Sequence, residues 1–182
     1  MKTLTTKRLI LRQWQVTDLD DLYEYAKSDL VGPNAGWAMH KSKEESKEII
    51  EMFIKSGEIY AIVLKEEDKV IGSIGLHDRK SDISIKEMDQ REVGYVLNPN
   101  YWGKGIMPEA VDRVVEYGFK ELYLDLITCC HYDFNNNSKR VIEKCGFKYK
   151  FEKKEKLKAL DDKEVTTLCY IISKEDYIEL CK

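Results

Sequence analysis

The spacing of apolar residues changes period several times along the chain, and each change marks a boundary between predicted elements. Helical spacing follows Thr17-x-x-Asp20 and Ser42, which both open patterns typical of a helix N-terminus, and Gly57 ends the second helix. Alternating or continuous apolar runs predict strands elsewhere. In chain order we predict a strand at Thr6–Trp14, helices from Thr17 and from Ser42 to Gly57, a hairpin of Ile59–Lys65 and Lys69–His77, a strand at Gln90–Leu97, a helix from about Pro108 through Phe119, a strand at Leu124–Cys130, a helix at Ser138–Cys145, paired strands at Phe147–Glu152 and Val165–Ser173, and a terminal helix at Lys174–Lys182.

This order of elements, β-α-α-β-β-β-α-β-α-β-β, predicts an α/β protein that has a mixed sheet with helices on both faces. The segments 31–40 and 78–89 show neither period and are expected to be connections. The chain has 182 residues, with no repeat and no proline-rich linker. We therefore expect residues 1–182 to form a single domain.

Composition narrows the expected partners and location. Hydrophobic residues make up 43% of the chain, the net charge is −3 and the sequence pI is about 5.8, so no general affinity for nucleic acid is implied. The opening residues Met1–Thr5 are too polar for a signal peptide, and no apolar run approaches the ~20 residues of a membrane span. We expect a cytoplasmic protein with neither a nucleic-acid nor a membrane partner.

The cysteines and histidines indicate neither a disulfide framework nor a metal site. The cysteines are odd in number and lack C-x-x-C spacing, and the histidines lack ligand spacing. We therefore expect reduced, mostly buried thiols and no metal ion. The residues concerned are Cys129, Cys130, Cys145, Cys169, Cys181, His40, His77 and His131.

The most specific local feature is a glycine-bearing junction between a predicted strand and the helix that follows it. Gly103 and Gly105 flank Lys104 there, which would leave several backbone N–H groups unpaired at the positive end of a helix dipole. Such a loop suits a phosphate or diphosphate group. A Walker loop is excluded because Ile106 follows Gly105 where lysine is required, and a dinucleotide fingerprint fails because Pro108 replaces its third glycine. A turn whose glycines serve geometry alone is the remaining alternative.

Three separated segments together resemble the GNAT acetyltransferase superfamily, and within it the branch of ribosomal-protein N-terminal acetyltransferases. Thr6–Arg12 is similar to the T-x-R-L-x-L-R start of that branch. Asn98–Ala110 resembles the acyl-coenzyme A loop [QR]-x-x-G-x-[GA], with Gly105 as its fixed glycine, and Asn135–Phe147 resembles the segment N-x-x-S…E-K-x-G-F. The resemblance spans nearly the whole chain.

The chain departs from the family pattern at four positions. Trp102 replaces the usual Gln or Arg, and Met107 replaces a small residue. Neither change affects contacts that backbone N–H groups make. Ile142 stands where many members have a tyrosine acid, and Thr166 stands where the branch commonly has Asp, so those two roles are in doubt here.

The resemblance implies a GNAT fold, in which the mixed sheet is mostly antiparallel, and an activity that transfers the acetyl group of acetyl-coenzyme A to a primary amine. The amine, a protein N-terminus or a small molecule, would attack directly in a ternary complex. The pantetheine arm would lie between two splayed strands and pair with backbone near Val96 and Leu97, and the diphosphate would sit on loop amides. The implied cofactor-binding residues are Val96, Leu97, Trp102, Gly103, Lys104, Gly105, Ile106, Met107, Asn135 and Ser138.

Two residues are the candidates for proton transfer. A protonated amine must lose a proton before it can attack, and Glu92 would accept it directly or through water. The alternative is a solvated strand carboxylate. Ser138 resembles the serine proposed to protonate the leaving thiolate, and a structural N-cap is its alternative.

Other side chains are candidates for binding. Trp37 and Tyr101 would line the acceptor pocket, or else pack in the core or at its rim. Lys139, Arg140 and Lys144 would meet the 3′-phosphate of coenzyme A, or else be solvated.

Two other functions are compatible with the same motifs. A non-catalytic acyl-coenzyme A-binding module would sense or regulate, and a nucleotide-binding α/β protein would use the glycine loop differently. By analogy with the family, a homodimer is plausible. Many substrates share this scaffold, so the sequence leaves the acceptor open.

Overall fold

The computed structural model describes residues 1–81 and 87–182, and within them eight strands form one sheet. The strands are β1 Leu4–Thr5, β2 Leu9–Gln13, β3 Ile59–Leu64, β4 Lys69–His77, β5 Gln90–Leu97, β6 Leu126–Tyr132, β7 Lys148–Leu157 and β8 Lys163–Ser173. The helices are α1 Leu19–Ala26, α2 Gly32–Ala35, α3 Lys43–Ser56, α4 Ile106–Lys120, α5 Asn136–Lys144 and α6 Lys174–Leu180. Short 3₁₀ turns occur at Val16–Asp18, Pro99–Tyr101 and Lys158–Leu160.

The sheet is mixed and mostly antiparallel, as predicted. The strand order is β1-β2-β3-β4-β5-β6-β8-β7, and β5–β6 is the parallel pair among the described strands. The connection between β5 and β6 is α4, as a parallel crossover requires. This parallel pair stands near the middle of the sheet.

Helices pack on both faces because the strands alternate apolar side chains between two cores. On one face, residues of α4 and α5 such as Val111 and Ile142 pack with Leu76, Val93 and Ile127. On the other face, Leu22 of α1 and Ile50 of α3 lie in a second cluster with strand residues such as Ala61. The second cluster shares its face with Glu92, since residues two apart on a strand point the same way. No helix in the described ranges is both long and apolar enough to cross a membrane.

Most elements predicted from hydrophobic period are present. The strand at Gln90–Leu97 and the hairpin of β3 and β4 are confirmed, the latter within one residue. The Ser42 side chain accepts a hydrogen bond from the Glu45 N–H, and Gly57 ends α3 with a φ of +66°. These ends form where predicted because capping depends on residues within one turn.

Three local predictions were wrong, each because of a contact or backbone geometry that the pattern did not reveal. Asp18, rather than Thr17 with Asp20, precedes α1: its carboxylate accepts from Gln15 N–H and from Nη1 and Nη2 of Arg12, each at 2.8 Å. The short helix α2 lies in the segment predicted as a loop. Helix α4 begins at Ile106, so proline occupies its third position. The predicted connection 78–89 lies partly outside the described residues.

The expectation of reduced cysteines is contradicted at one pair. Cys130 on β6 and Cys169 on β8 are directly opposite each other in the antiparallel register, with Cα atoms 4.2 Å apart, and they form a disulfide. Strand register brings together two residues that are 39 positions apart in sequence. Cys129, Cys145 and Cys181 are free, and burial raises the pKa of the first two thiols.

Candidate active site

The centre of the sheet opens into a gap between β5 and β6. The parallel pairing of these strands runs from Gln90–Leu126 to Val93–Cys129 and stops there, although both strands continue. Among the described residues, the last four of β5, Gly94–Leu97, therefore have no strand partner on their β6 side. A cleft of about 1060 Å³ includes this gap, the glycine loop and the α1–α3 face of the sheet.

The main-chain groups that face the gap belong to Tyr95 and Leu97. The Asn98 N–H donates to Ile71 O on β4 at 2.8 Å, and the Leu126 N–H of β6 donates to Asp89 O at 3.3 Å. Since strand residues alternate the side to which they direct N–H and C=O, odd-numbered residues of β5 face β6 and even-numbered ones face β4. The main chain of Val96 is thus directed to β4, and its side chain lines the cleft.

Trp102 closes the end of this gap with a specific contact. Its indole Nε1–H donates to the carbonyl oxygen of Leu97 at 2.9 Å, and 37% of the residue is exposed. The side chain that departs from the family pattern thus stabilises the last residue of β5. Sequence comparison of the loop alone gives no sign of this hydrogen bond.

The glycine loop has the geometry of an anion site. Gly103 and Gly105 have φ of +74° and +68°, the left-handed region that favours glycine, and α4 begins directly after Gly105. In the described part of the chain, no protein acceptor is recorded for the N–H groups of residues 103–107. These donors lie at the positive end of a 15-residue helix, as an anion site requires.

Arg8, the residue directly before β2, contacts the glycine loop. Arg8 Nη1 donates to the carbonyl oxygen of Lys104 at 2.9 Å. Lys104 Nζ lies 5.1 Å from the ring centre of Tyr101, and the Tyr101 hydroxyl donates to Glu67 in the β3–β4 turn. Burial, together with Glu67, raises the pKa of Tyr101 to about 12. Tyr101, predicted to line the acceptor pocket, also lines the cleft, with its hydroxyl committed to Glu67.

Asn135 organises the opposite wall of the gap. Its Oδ1 accepts from Ser138 N–H at 3.0 Å, and its Nδ2 donates to the carbonyl oxygen of Asn34 at 2.9 Å. The N-cap of α5 is therefore Asn135, and the prediction of Ser138 as a possible N-cap was wrong. The amide of Asn135 ties α5 to the segment that carries Trp37.

Ser138 meets a residue that the sequence analysis did not select. The Tyr95 hydroxyl oxygen lies 3.0 Å from Ser138 Oγ and 3.2 Å from Ser138 O, across the gap. Burial raises the pKa of Tyr95 well above its usual value, so its hydroxyl remains a donor. Tyr95 lies three residues after Glu92 on the same strand, and no signal in the sequence analysis singled it out.

Glu92 lies on the α1–α3 face of β5, beside the cleft. Its side chain is 15% exposed, so it is not the solvated carboxylate of the alternative interpretation. Arg79 Nη1 lies 3.3 Å from one carboxylate oxygen, and Ser81 Oγ donates to the other. Across the strand pair its partner is His77.

The part of the cleft on the α1–α3 face of the sheet, called the acceptor half below, is otherwise largely apolar. Trp37 lines it and packs against His40 with ring centres 5.2 Å apart. Ile49, Met52 and Phe53 of α3 line the same side. The structure thus places Trp37 and Glu92 on one side of the gap and the glycine loop on the other.

The basic residues of α5 differ in whether they line the cleft. Arg140 and Lys144 line the cleft, whereas Lys139 lies 3.8 Å from Glu143 in an ion pair one turn along the helix. Among residues 1–81 and 87–182, no group of three or more His, Cys, Asp or Glu side chains is arranged to hold a metal ion.

Comparison with known proteins agrees with this geometry. Residues 8–148 match the family model described as an acetyltransferase (GNAT) domain. The chain is 30% identical over 145 residues to the uncharacterized N-acetyltransferase YnaD of Bacillus subtilis, which covers 80% of this chain and 82% of that protein.

Solved structures show the same fold. A GNAT-family acetyltransferase from Bacillus anthracis superposes with a TM-score of 0.84 at 24% identity, covering 96% of this chain and 99% of the other. Microcin C7 self immunity acetyltransferase MccE, solved with acetyl-CoA and AMP, gives a TM-score of 0.72 at 19% identity and covers 92% and 93%. With the family model matched over residues 8–148, this chain belongs to the GNAT acetyltransferase family of enzymes.

Proposed function

We propose that this protein transfers the acetyl group of acetyl-coenzyme A to a primary amine by direct attack in a ternary complex. The observation that carries the proposal is the gap between β5 and β6, which has unpaired strand main chain along one wall and free loop amides at one end. An extended arm that carries amides and ends in a diphosphate matches both features. The MccE structure, which contains acetyl-CoA, supports the choice of carrier.

The residues present fit such a carrier. The N–H groups of residues 103–107 would hold the diphosphate, and the main chain of Tyr95 and Leu97 would pair with the pantetheine arm. Arg140 and Lys144 would meet the 3′-phosphate, since they line the cleft. Asn135 would shape the site through its two hydrogen bonds rather than by presenting a free amide.

The amine would approach from the α1–α3 face, because Trp37, Glu92 and the apolar residues of α3 line the cleft on that side. The Glu92 carboxylate would attract an ammonium group to the mouth of the gap. The Ser138 hydroxyl, held by Tyr95, would donate to the sulfur of the departing thiolate. A protein N-terminus and a small amine both remain acceptors in this proposal, and we retain the cytoplasm as its location and a homodimer as its possible assembly.

Two measurements test the proposal. Calorimetric titration should show binding of coenzyme A and acetyl-coenzyme A that ATP and NAD do not match. A transfer screen over peptides with free N-termini, polyamines, amino acids and aminoglycosides should yield at least one acetylated amine. Tight binding of a nucleotide without coenzyme A would refute the assignment of the loop, and coenzyme A binding without transfer would indicate a sensor.

A further inference from the structure

His77 lies in the acceptor half of the cleft, on a floor made by two glycines. It is the last residue of β4, and Gly75 and Gly94 face each other across the β4–β5 pair on the same side of the sheet. A Cβ atom on Gly75 would lie 2.6 Å from His77 Nε2, and one on Gly94 would lie 3.3 Å from it. The imidazole therefore lies over both glycines, in space that any other residue would fill.

This position brings Nε2 to the mouth of the gap. Pairing between β5 and β6 ends at Val93, so Gly94 is the first residue of β5 beside the opening. His77 lines the same cleft as the glycine loop, and its side chain is 29% exposed.

Glu58, just before β3, orients the ring. Its Oε2 lies 3.5 Å from His77 Nδ1, and its carbonyl oxygen accepts from the N–H of Leu76. A carboxylate at Nδ1 favours the tautomer that has hydrogen on this nitrogen and a lone pair on Nε2. No hydrogen-bond partner of Nε2 is recorded among the described residues, and His77 lines the cleft.

The charged groups around the ring come from each neighbouring element. Glu58 approaches from the β3 side, Glu92 from β5 and Arg79 from the segment after β4, while Glu45 of α3 lines the same cleft. The oxygens of Glu92 are engaged by Arg79 and Ser81. In contrast to the Glu92 oxygens, His77 Nε2 has no hydrogen-bond partner recorded among the described residues.

We propose that His77 is the residue that accepts the proton from the attacking amine, with Glu58 as its positioning residue. This rests on the proposed function and assigns one of its steps. The ammonium group gives one proton to His77 Nε2, and the freed amine nitrogen forms a bond to the acetyl carbonyl carbon. The carbon–sulfur bond breaks with its electron pair on sulfur, and the second proton of the nitrogen passes to that sulfur through the Ser138 hydroxyl. The imidazolium, beside Glu58, then returns the proton to water. Glu92 attracts the ammonium group and stabilises the positive charge.

The test uses the His77→Ala variant and imidazole in the buffer. We expect kcat to fall roughly 10²–10³-fold, within the range for loss of a general base. Because the two glycines leave a slot for a ring, added imidazole should raise the rate of this variant in a saturable manner. Imidazole should not change the rate of Glu92→Gln or of the unmodified protein. Coenzyme A affinity, measured by calorimetry, should be unaltered in His77→Ala, which shows that the variant is folded.

The positioning residue is tested by measuring kcat and KM separately. Glu58→Gln replaces the carboxylate oxygen that lies 3.5 Å from His77 Nδ1, so kcat should fall several-fold while KM for acetyl-coenzyme A stays unchanged. Glu66→Gln, an exposed carboxylate in the β3–β4 turn, is the matched control and should leave kcat unchanged.

The outcomes separate this inference from the function on which it rests. If His77→Ala retains more than about a third of kcat, or gains nothing from imidazole, His77 is not the proton acceptor, although acetyl transfer by the unmodified protein stands. If the unmodified protein binds coenzyme A and acetylates no amine, the proposed function fails and the role of His77 fails with it.

Discussion

Arg8 and Glu109 are 101 residues apart in the chain and form an ion pair, with 2.6 Å between Arg8 Nε and Glu109 Oε2. The Thr6 hydroxyl and the Arg8 N–H both donate to the other carboxylate oxygen. Glu109 lies in the first turn of α4, directly after the glycine loop. The opening motif of the chain thus fastens the loop that is proposed to bind the diphosphate.

This carboxylate should make stability depend on pH. Burial by itself would raise the pKa of Glu109, but the hydrogen bonds from Thr6 and Arg8 lower it overall. A carboxyl group with a lower pKa in the folded state stabilises the fold above its unfolded pKa, and this contribution is lost as the pH falls through the folded value. Urea unfolding from pH 7 down to pH 3 should therefore show an acid-dependent loss of stability that is smaller in Glu109→Gln. Glu48→Gln, an exposed position on α3, should keep the dependence of the unmodified protein.

The two loop glycines should matter for binding through their backbone conformation. A Cβ on Gly103 would meet nothing within 4 Å, and one on Gly105 would meet only Arg8 Nη2 at 3.9 Å, so alanine would add strain without a clash. Each alanine variant should cost roughly 1–2 kcal/mol in this left-handed region. As the loop relaxes, coenzyme A should bind about 5–10-fold more weakly, which equals about 1–1.4 kcal/mol.

Gly57→Ala provides a matched control for these variants. Gly57 has a φ of +66° and open space around its Cα, and it ends α3. Its alanine variant should lose similar stability in thermal unfolding and retain coenzyme A affinity. Equal weakening of coenzyme A binding in all three variants would show that global stability, and not the loop, controls affinity.

Substitution of the two cleft-lining tryptophans should change KM for different substrates. Trp102→Phe removes the hydrogen bond to Leu97 O, and a net loss of about 0.5–1.5 kcal/mol corresponds to a rise of roughly 2–12-fold in KM for acetyl-coenzyme A. Trp37→Phe should instead raise KM for the amine, because Trp37 lies on the α1–α3 side. Initial rates with each substrate varied in turn measure both effects. The assignment of the two sides fails if both variants raise the same KM.

Tyr95 should control the hydroxyl of Ser138. In Tyr95→Phe the Ser138 Oγ loses its partner, so kcat should fall about tenfold while coenzyme A affinity stays unchanged. Since burial raises the pKa of Tyr95 well above its usual value, no alkaline limb of the rate profile should come from this residue. Tyr149 is exposed on β7, so Tyr149→Phe is the control and should change neither kcat nor coenzyme A affinity. A full rate in Tyr95→Phe would exclude a role of this pair in protonating the thiolate.

Much of the framework was predictable because its signals are local. The strand Gln90–Leu97 contains Val93, Tyr95 and Val96, residue types that favour strands, and the Ser42 cap and Gly57 end of α3 each depend on residues within one turn. The glycines at 103 and 105 were recognisable because few residues adopt their φ. By contrast, the start of α4 was placed two residues late, since proline is tolerated within the first helical turn and does not mark its first residue.

The sequence by itself determined most of the elements, the glycine loop and the family motifs, since period, capping and backbone freedom are properties of neighbouring residues. Only the tertiary structure decided which main-chain groups face the gap, how Tyr95 meets Ser138 and how Cys130 comes to pair with Cys169. It also placed the imidazole of His77 over Gly75 and Gly94. These relationships depend on strand register and on the side to which each residue points, and both are fixed when distant segments pair across the sheet.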